Sequence, residues 1–165
     1  MCLELFQGKR EDIIKEIIKN NRLIILAPSE ISDDYEIILM IVKQNSSLLE
    51  YASKRLKNNY QIVLEAVKES SRSLQFASKN LRNNYDIVFT AVKGSGWTLQ
   101  YASTELKNNY KIVLEAVKID GNSLQFASNN LKDNLEIVKN AAKSDPKAIN
   151  YVSQKFKNIK NLNFI

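Results

Sequence analysis

Two rows of lysine and arginine, each recurring every twenty-five residues, are the side chains best suited to binding chemistry. The rows are Lys43, Lys68, Lys93, Lys118 and Lys143, and Lys57, Arg82, Lys107, Lys132 and Lys157. A row of cations can follow a polyanion, and the net charge of +6 favours an acidic partner. Alternatively, each cation stands in the last turn of a helix, where the helix dipole favours it without a ligand. We take Lys68, Lys93 and Lys118 as candidate polyanion-binding residues.

The chain offers little that would support catalysis or a metal site. It contains no histidine and a single cysteine, Cys2, so the commonest general base and metal ligand is absent. Its four glycines form no phosphate-binding motif, and the recurring Glu65 and Glu115 lie fifty residues apart with no nucleophile beside a base. The pair Asn58 and Asn59 offers amides where calcium would require carboxylates. We therefore expect no enzymatic activity, no cofactor and no metal.

A second set of candidates comes from positions that differ between copies of the repeated segment. Residues that stacking requires must recur, so the variable positions are free for recognition. Trp97 is the only tryptophan and stands where other copies are polar, and tryptophan is enriched in binding hot spots. The alternative is a structural role in which Trp97 folds over Phe89. The other candidates for binding a protein partner are Arg72, Lys79, Asn80, Thr104 and Glu105.

These residues belong to a segment of twenty-five residues that the chain repeats. The stretch Tyr60–Asn84 returns as Tyr85–Asn109 with the same residue types, and a fixed period of this length is typical of a solenoid. Full copies begin at Tyr35, Tyr60, Tyr85, Tyr110 and Leu135, and a divergent first copy begins near Asp12. We therefore predict an all-α solenoid of about six two-helix repeats, forming a single domain over residues 1–165.

Each repeat is predicted to contain two short helices. In the first half, the apolar side chains of Tyr60–Val67 cover most of one helix. Asn58 is in position to cap this helix with a capping box, unless the register shifts by one residue to Asn59. The second helix is predicted to begin after Ser73. We expect the first helix to form the interior layer and the second to be more exposed.

The repeated pattern resembles one known family. Tyr60–Lys68 (YQIVLEAVK) followed by Leu74–Ser78 (LQFAS), with copies from about Asp33 to Phe156, is similar to the repeats catalogued as domain of unknown function 4116. The resemblance implies helical repeats with no assigned activity. It also implies a context, since such repeats occur in protists and in intracellular bacteria living in amoebae, sometimes within secreted effectors.

These observations favour a non-catalytic protein-interaction scaffold or adaptor. The resemblance implies a more specific role, the repeat module of an intracellular-bacterial effector. The alternative is a helical-repeat protein that binds RNA or DNA through its basic rows. The sequence shows no apolar run that would span a bilayer and no secretory signal, so we expect neither a transmembrane segment nor binding to a membrane surface. The single cysteine is typical of a reducing compartment, so we expect a cytoplasmic location, or the host cytosol for an effector.

Overall fold

The computed structural model describes residues 9–157 and shows that each repeat begins with a ten-residue α-helix. Within these residues the helices are α1 (Arg10–Lys19), α2 (Tyr35–Gln44), α3 (Tyr60–Glu69), α4 (Tyr85–Gly94), α5 (Tyr110–Ile119) and α6 (Leu135–Ser144). The described residues contain no β-strand. The first helix begins at Arg10, two residues before Asp12, where the sequence predicted the first copy to begin. Arg10 is in register with the first helical residues of the later repeats.

A side chain directly before the helix caps each of α2–α6. At α3 the backbone N–H of Ile62 donates to Asn59 Oδ1 at 3.1 Å. The other caps are Asp34, Asn84, Asn109 and Asn134. The capping box predicted at Asn58 is therefore wrong by one residue, and the alternative at Asn59 is confirmed. Each cap satisfies one backbone N–H group that the first turn would leave unpaired.

The second half of each repeat begins with a six-residue 310 helix, and in three repeats a four-residue α-helix follows it. The 310 helices are Asn21–Leu26, Ser46–Tyr51, Ser71–Phe76, Gly96–Tyr101, Gly121–Phe126 and Pro146–Tyr151. The predicted start after Ser73 is wrong, because the helix begins at Ser71 and stops before Ala77, which has an extended backbone with ψ of 153°. A short terminal turn follows in each repeat: Ser29–Ser32, Leu56–Asn58, Leu81–Asn83, Leu106–Asn108, Asn129–Lys132 and Gln154–Lys157.

A serine after each of the last five 310 helices explains why the helix stops there. The backbone N–H of Ser78 donates to the Lys57 carbonyl of the preceding repeat at 2.9 Å. The Ser78 hydroxyl donates to Asn58 Oδ1 and accepts from the Leu81 backbone N–H at 3.2 Å. We call this arrangement the serine clasp. It recurs as the pairs Ser53–Asp33, Ser103–Asn83, Ser128–Asn108 and Ser153–Asp133. Bonds to the preceding repeat thus replace those that would continue the helix.

The chain forms two compact units, Met1–Leu81 and Arg82–Ile165. In the first unit α1 contacts α2 and α2 contacts α3; in the second, α4 contacts α5 and α5 contacts α6. The 310 helices contact their neighbours in the same order, which gives each unit an α-helical layer and a 310 layer. The core lies between these layers, where Ile62, Val67 and Leu74 are at most 1% exposed. The single domain expected over residues 1–165 stays a prediction.

Both layers have one buried face and one face toward solvent. The first residue of α3, Tyr60, is 42% exposed, and Leu64 is half-buried. The expectation of an interior first helix and an exposed second helix therefore differs from the structure. The reason is that each layer covers only one side of the core. The predicted fold class, an all-α solenoid of helix-pair repeats, is confirmed.

Close packing between repeats explains one glycine of the 310 layer. A Cβ atom added at Gly96 would lie 2.2 Å from the carbonyl oxygen of Ala116 in α5. The backbone of Gly96 does not have positive φ, so the requirement is for space and not for an unusual conformation. Glycine here lets the 310 helix approach the next α-helix closely.

Candidate partner-binding surfaces

The candidate protein-binding residues lie at the surface of the 310 layer and its turns. Arg72 is exposed on the 310 helix Ser71–Phe76, and Lys79 and Asn80 are exposed in the turn that follows it. These three belong to the first unit. Thr104 and Glu105 occupy the equivalent turn of the second unit and are also exposed. The positions chosen because they vary between copies therefore lie at the surface, on the 310 side of both units.

Trp97 lies against the next repeat while part of it stays exposed. Its ring contacts Phe126 edge-to-face, with centroids 4.9 Å apart and an interplanar angle of 87°. The exposed fraction of Trp97 is 41%. The alternative that Trp97 folds over Phe89 is wrong, because Phe89 stacks on Tyr85 at 5.6 Å. The half-exposed Trp97 and Phe126 form an aromatic pair that a partner can reach.

Glu105 has a structural contact in addition to its exposure. Asn83 Nδ2 donates to Glu105 Oε2 at 2.9 Å, which joins neighbouring repeats beside the serine clasp. In the first unit the equivalent residue is Arg55, whose Nε donates to Asp33 Oδ1 at 3.0 Å. The hydroxyl of Ser53 and the guanidinium of Arg55 lower the pKa of Asp33. The position of Arg55 and Glu105 therefore joins adjacent repeats whether its side chain is positively or negatively charged.

The three candidate polyanion-binding lysines are exposed but have different surroundings. Lys68 forms an ion pair with Glu65 at 3.0 Å, which neutralises its charge locally. Lys93 lies over the ring of Phe89, with Nζ 5.8 Å from the centroid. Lys118 borders a surface pocket of about 390 Å³ together with Lys143, Asn140 and Ser144. The structure thus brings two members of this row, Lys118 and Lys143, to one depression.

The second row of cations is half-buried, which the sequence analysis did not anticipate. Lys57, Arg82, Lys107 and Lys132 all lie in the terminal turns and are partly covered. Burial, followed by the charge of Arg82, lowers the pKa of Lys107. Burial also lowers the pKa of Lys132, whose Nζ donates to the Gln125 carbonyl at 2.7 Å. The sequence contained a signal for this burial, because each cation directly follows a recurring leucine that is buried in the structure.

Exposed tyrosines lie on the α-helical layer of each unit. Tyr35, Tyr60, Tyr85 and Tyr110 each begin a helix and are 37–42% exposed. Sequence analysis had treated them as part of a buried face. A hydrogen bond with Glu136 raises the pKa of Tyr110. Each of the helices α2–α5 therefore presents an aromatic residue at its start and a lysine in its last turn.

The first unit also contains an apolar pocket that no sequence prediction covered. Its volume is about 450 Å³, and it lies between α1 and α2. Ile14, Ile18 and Met40 supply its apolar lining, and Lys43 lies at its edge.

The described residues contain no cluster of histidine, cysteine, aspartate or glutamate side chains that would hold a metal ion. None of the helices in residues 9–157 has the length and apolar character needed to cross a membrane. Cys2 and the side chain of Lys157 lie outside the described residues.

The fold and these surfaces define a tandem helical-repeat protein of the all-α class. The family model described as a domain of unknown function (DUF4116) matches residues 10–57, 34–82, 59–107, 84–128 and 109–157. The chain belongs to this family, and the resemblance stated from its sequence is confirmed. No curated protein and no solved structure matches the chain.

Proposed function

We propose that this protein is a non-catalytic scaffold or adaptor that binds a protein partner through the 310 face of its repeats. The observation that carries the proposal is the division between recurring and variable positions. Recurring residues such as Leu74 and Ala77 are buried between repeats. The variable residues Arg72, Thr104 and Trp97 are exposed on the 310 side. Variation at these exposed positions of the 310 side, next to a half-exposed tryptophan, supports recognition of a partner there.

Site-specific cross-linking in cells that express the protein tests this proposal. A photoreactive amino acid is placed at Thr104 on the 310 face, and the matched control carries it at Lys118 on the α-helical face. Both positions are exposed, and neither side chain braces the fold. We expect nuclease-resistant adducts with protein at Thr104 and few at Lys118. Adducts only at Lys118, or adducts that nuclease removes, would contradict the proposal.

Nucleic-acid binding is a second candidate function, and the exposed tyrosines favour it. Single-stranded nucleic acid is bound by aromatic side chains that stack on bases and by cations that contact phosphates. In the second unit, Tyr85 with Lys93 and Tyr110 with Lys118 supply this combination on neighbouring helices. Lys93→Gln and Lys118→Gln test it through the salt dependence of binding to a homopolymeric RNA. Loss of a phosphate contact would lower the slope of log affinity against log salt by about 0.7 per single-strand contact. An unchanged slope would argue against this function.

We propose further that the protein acts in the cytoplasm, and in the host cytosol if it is the repeat module of a bacterial effector. The single cysteine supports a reducing compartment, and the family context supports the effector form. A translocation reporter fused to the chain in an infecting bacterium tests the effector form. Reporter signal confined to the bacterium would contradict it.

A further inference from the structure

Three half-buried cations of the second unit have no carboxylate partner among the described residues. Arg82, Lys107 and Lys132 stand at equivalent positions in successive terminal turns. None of them forms an ion pair with a carboxylate of the described residues. The Nε atom of Arg82 is buried and has no hydrogen-bond partner there. We call these three residues the cation row.

Partial burial without counter-charges carries a cost for folding. Lys107 loses hydration and is repelled by Arg82, and both effects lower its pKa. A buried or partly buried cation is ordinarily paired, because removing it from water is unfavourable. Local packing therefore does not explain this row, whereas an anion supplied by a partner would.

The cation row lies beside the aromatic pair of Trp97 and Phe126. Lys132 Nζ reaches the backbone carbonyl of Gln125, the residue before Phe126, at 2.7 Å. Tyr101 and Tyr151 occupy the position of Phe126 in the neighbouring 310 helices, and both are partly exposed. One side of the 310 layer therefore carries accessible aromatic rings next to unpaired positive charges.

Backbone bonds hold the cation row in a regular register. Ser103 N–H donates to the Arg82 carbonyl, and Ser128 N–H donates to the Lys107 carbonyl, both at 2.9 Å. Packed helices of neighbouring repeats lie about 8–10 Å apart. An extended segment in the polyproline II conformation has three residues per turn and rises about 3.1 Å per residue, so side chains three residues apart lie on the same side about 9 Å from each other. Successive cations thus match side chains three residues apart on such a segment.

We infer that the 310 face of the second unit binds an extended acidic segment of a partner protein. Carboxylates about three residues apart would pair with Arg82, Lys107 and Lys132, and an apolar side chain would rest on Trp97 and Phe126. This inference rests on the proposed scaffold function and specifies the chemistry of the partner.

The local charges favour a peptide over nucleic acid at this site. Glu105 and Asp133 lie close to the row in sequence, and both are held by contacts to neighbouring repeats. A phosphate backbone would approach these carboxylates with a continuous line of charge. A peptide with spaced carboxylates can place neutral residues opposite them.

A random peptide library displayed on phage and selected on the whole protein tests the inference. We expect enriched peptides to carry aspartate or glutamate at about every third position with one aromatic or aliphatic residue. Their synthetic versions should bind at least tenfold more weakly to Lys107→Met and to Trp97→Ala. The matched control, with Lys93→Gln and Lys118→Gln on the α-helical face, should bind as the parent protein does.

Lys107→Met also distinguishes a binding role of Lys107 from a structural one, because the melting temperature and peptide binding should change differently. Methionine keeps an apolar stem and removes the charge, so the melting temperature should stay the same or rise while peptide binding falls. A lower melting temperature with unchanged peptide binding would overturn the inference.

The outcomes separate this inference from the scaffold proposal. Enriched neutral or basic peptides that still require Trp97 would overturn the acidic partner and leave the scaffold function standing. Tight binding of homopolymeric RNA to the cation row, with no enriched peptide, would overturn both.

Discussion

Replacing Trp97 by alanine tests whether the aromatic pair both supports the fold and remains accessible. Truncating a fully buried aromatic side chain costs about 3–5 kcal/mol. Because 41% of Trp97 is exposed, we expect roughly half of that effect, a loss of about 2 kcal/mol in the free energy of unfolding. The edge-to-face contact with Phe126 contributes about 0.5–1.5 kcal/mol of this loss. Urea unfolding followed by far-ultraviolet circular dichroism measures it.

Thr104→Ala serves as the control for this change, because Thr104 is exposed in the same repeat and should change stability by less than about 0.5 kcal/mol. Trp97 is the only tryptophan, so its fluorescence in the parent protein reports on this site alone. We expect emission between that of a buried and a fully exposed tryptophan, with quenching by acrylamide. A loss of stability above about 4 kcal/mol with protected emission would mean that Trp97 is a core residue and refute the reasoning.

Three further changes test the contacts between repeats. Ser103→Ala removes the hydroxyl that bonds Asn83 Oδ1 and the Leu106 backbone N–H, so it should lower the free energy of unfolding by about 1–3 kcal/mol at roughly 1 per bond. Ser95→Ala is the control, because the Ser95 side chain makes no capping bond, and it should cost much less. Equal losses for the two variants in urea unfolding would contradict the serine clasp. Gly96→Ala places a Cβ 2.2 Å from the Ala116 carbonyl oxygen and should destabilise by about 1–3 kcal/mol, whereas no change in melting would show that the 310 helix can move away. Asp33→Asn keeps an acceptor for Ser53 and removes the carboxylate charge that pairs with Arg55. Because the pKa of Asp33 is lowered in the folded protein, the parent should have a larger free energy of unfolding than this variant at neutral pH. This difference should close as pH falls below about 4, where the carboxylate becomes protonated. A difference that does not change with pH would contradict the Asp33–Arg55 pairing.

The repeat itself and the α-helix that begins each copy were predictable from the sequence alone. The twenty-five-residue period and the spacing of residues such as Ile62, Val63 and Val67 are local properties, because a helix places these side chains on one side regardless of what covers them. The same logic located the cap to within one residue, at Asn58 or Asn59. The family follows from the same repeated residues.

Only the tertiary structure decided how the second half of each repeat folds. Ser73 has the residue type of a helix cap, but it is buried and its hydroxyl donates to the Ser46 carbonyl, twenty-seven residues earlier. The 310 helix ends at Ala77 because Ser78 bonds to the preceding repeat. Such bonds join residues about twenty apart, so no local pattern reveals them. The contact of Trp97 with Phe126 and the half-burial of Lys107 depend equally on which residues the next repeat brings close. Periodicity therefore determined where each α-helix lies, whereas contacts between successive repeats determined which of its residues are buried and which surface residues remain exposed or unpaired.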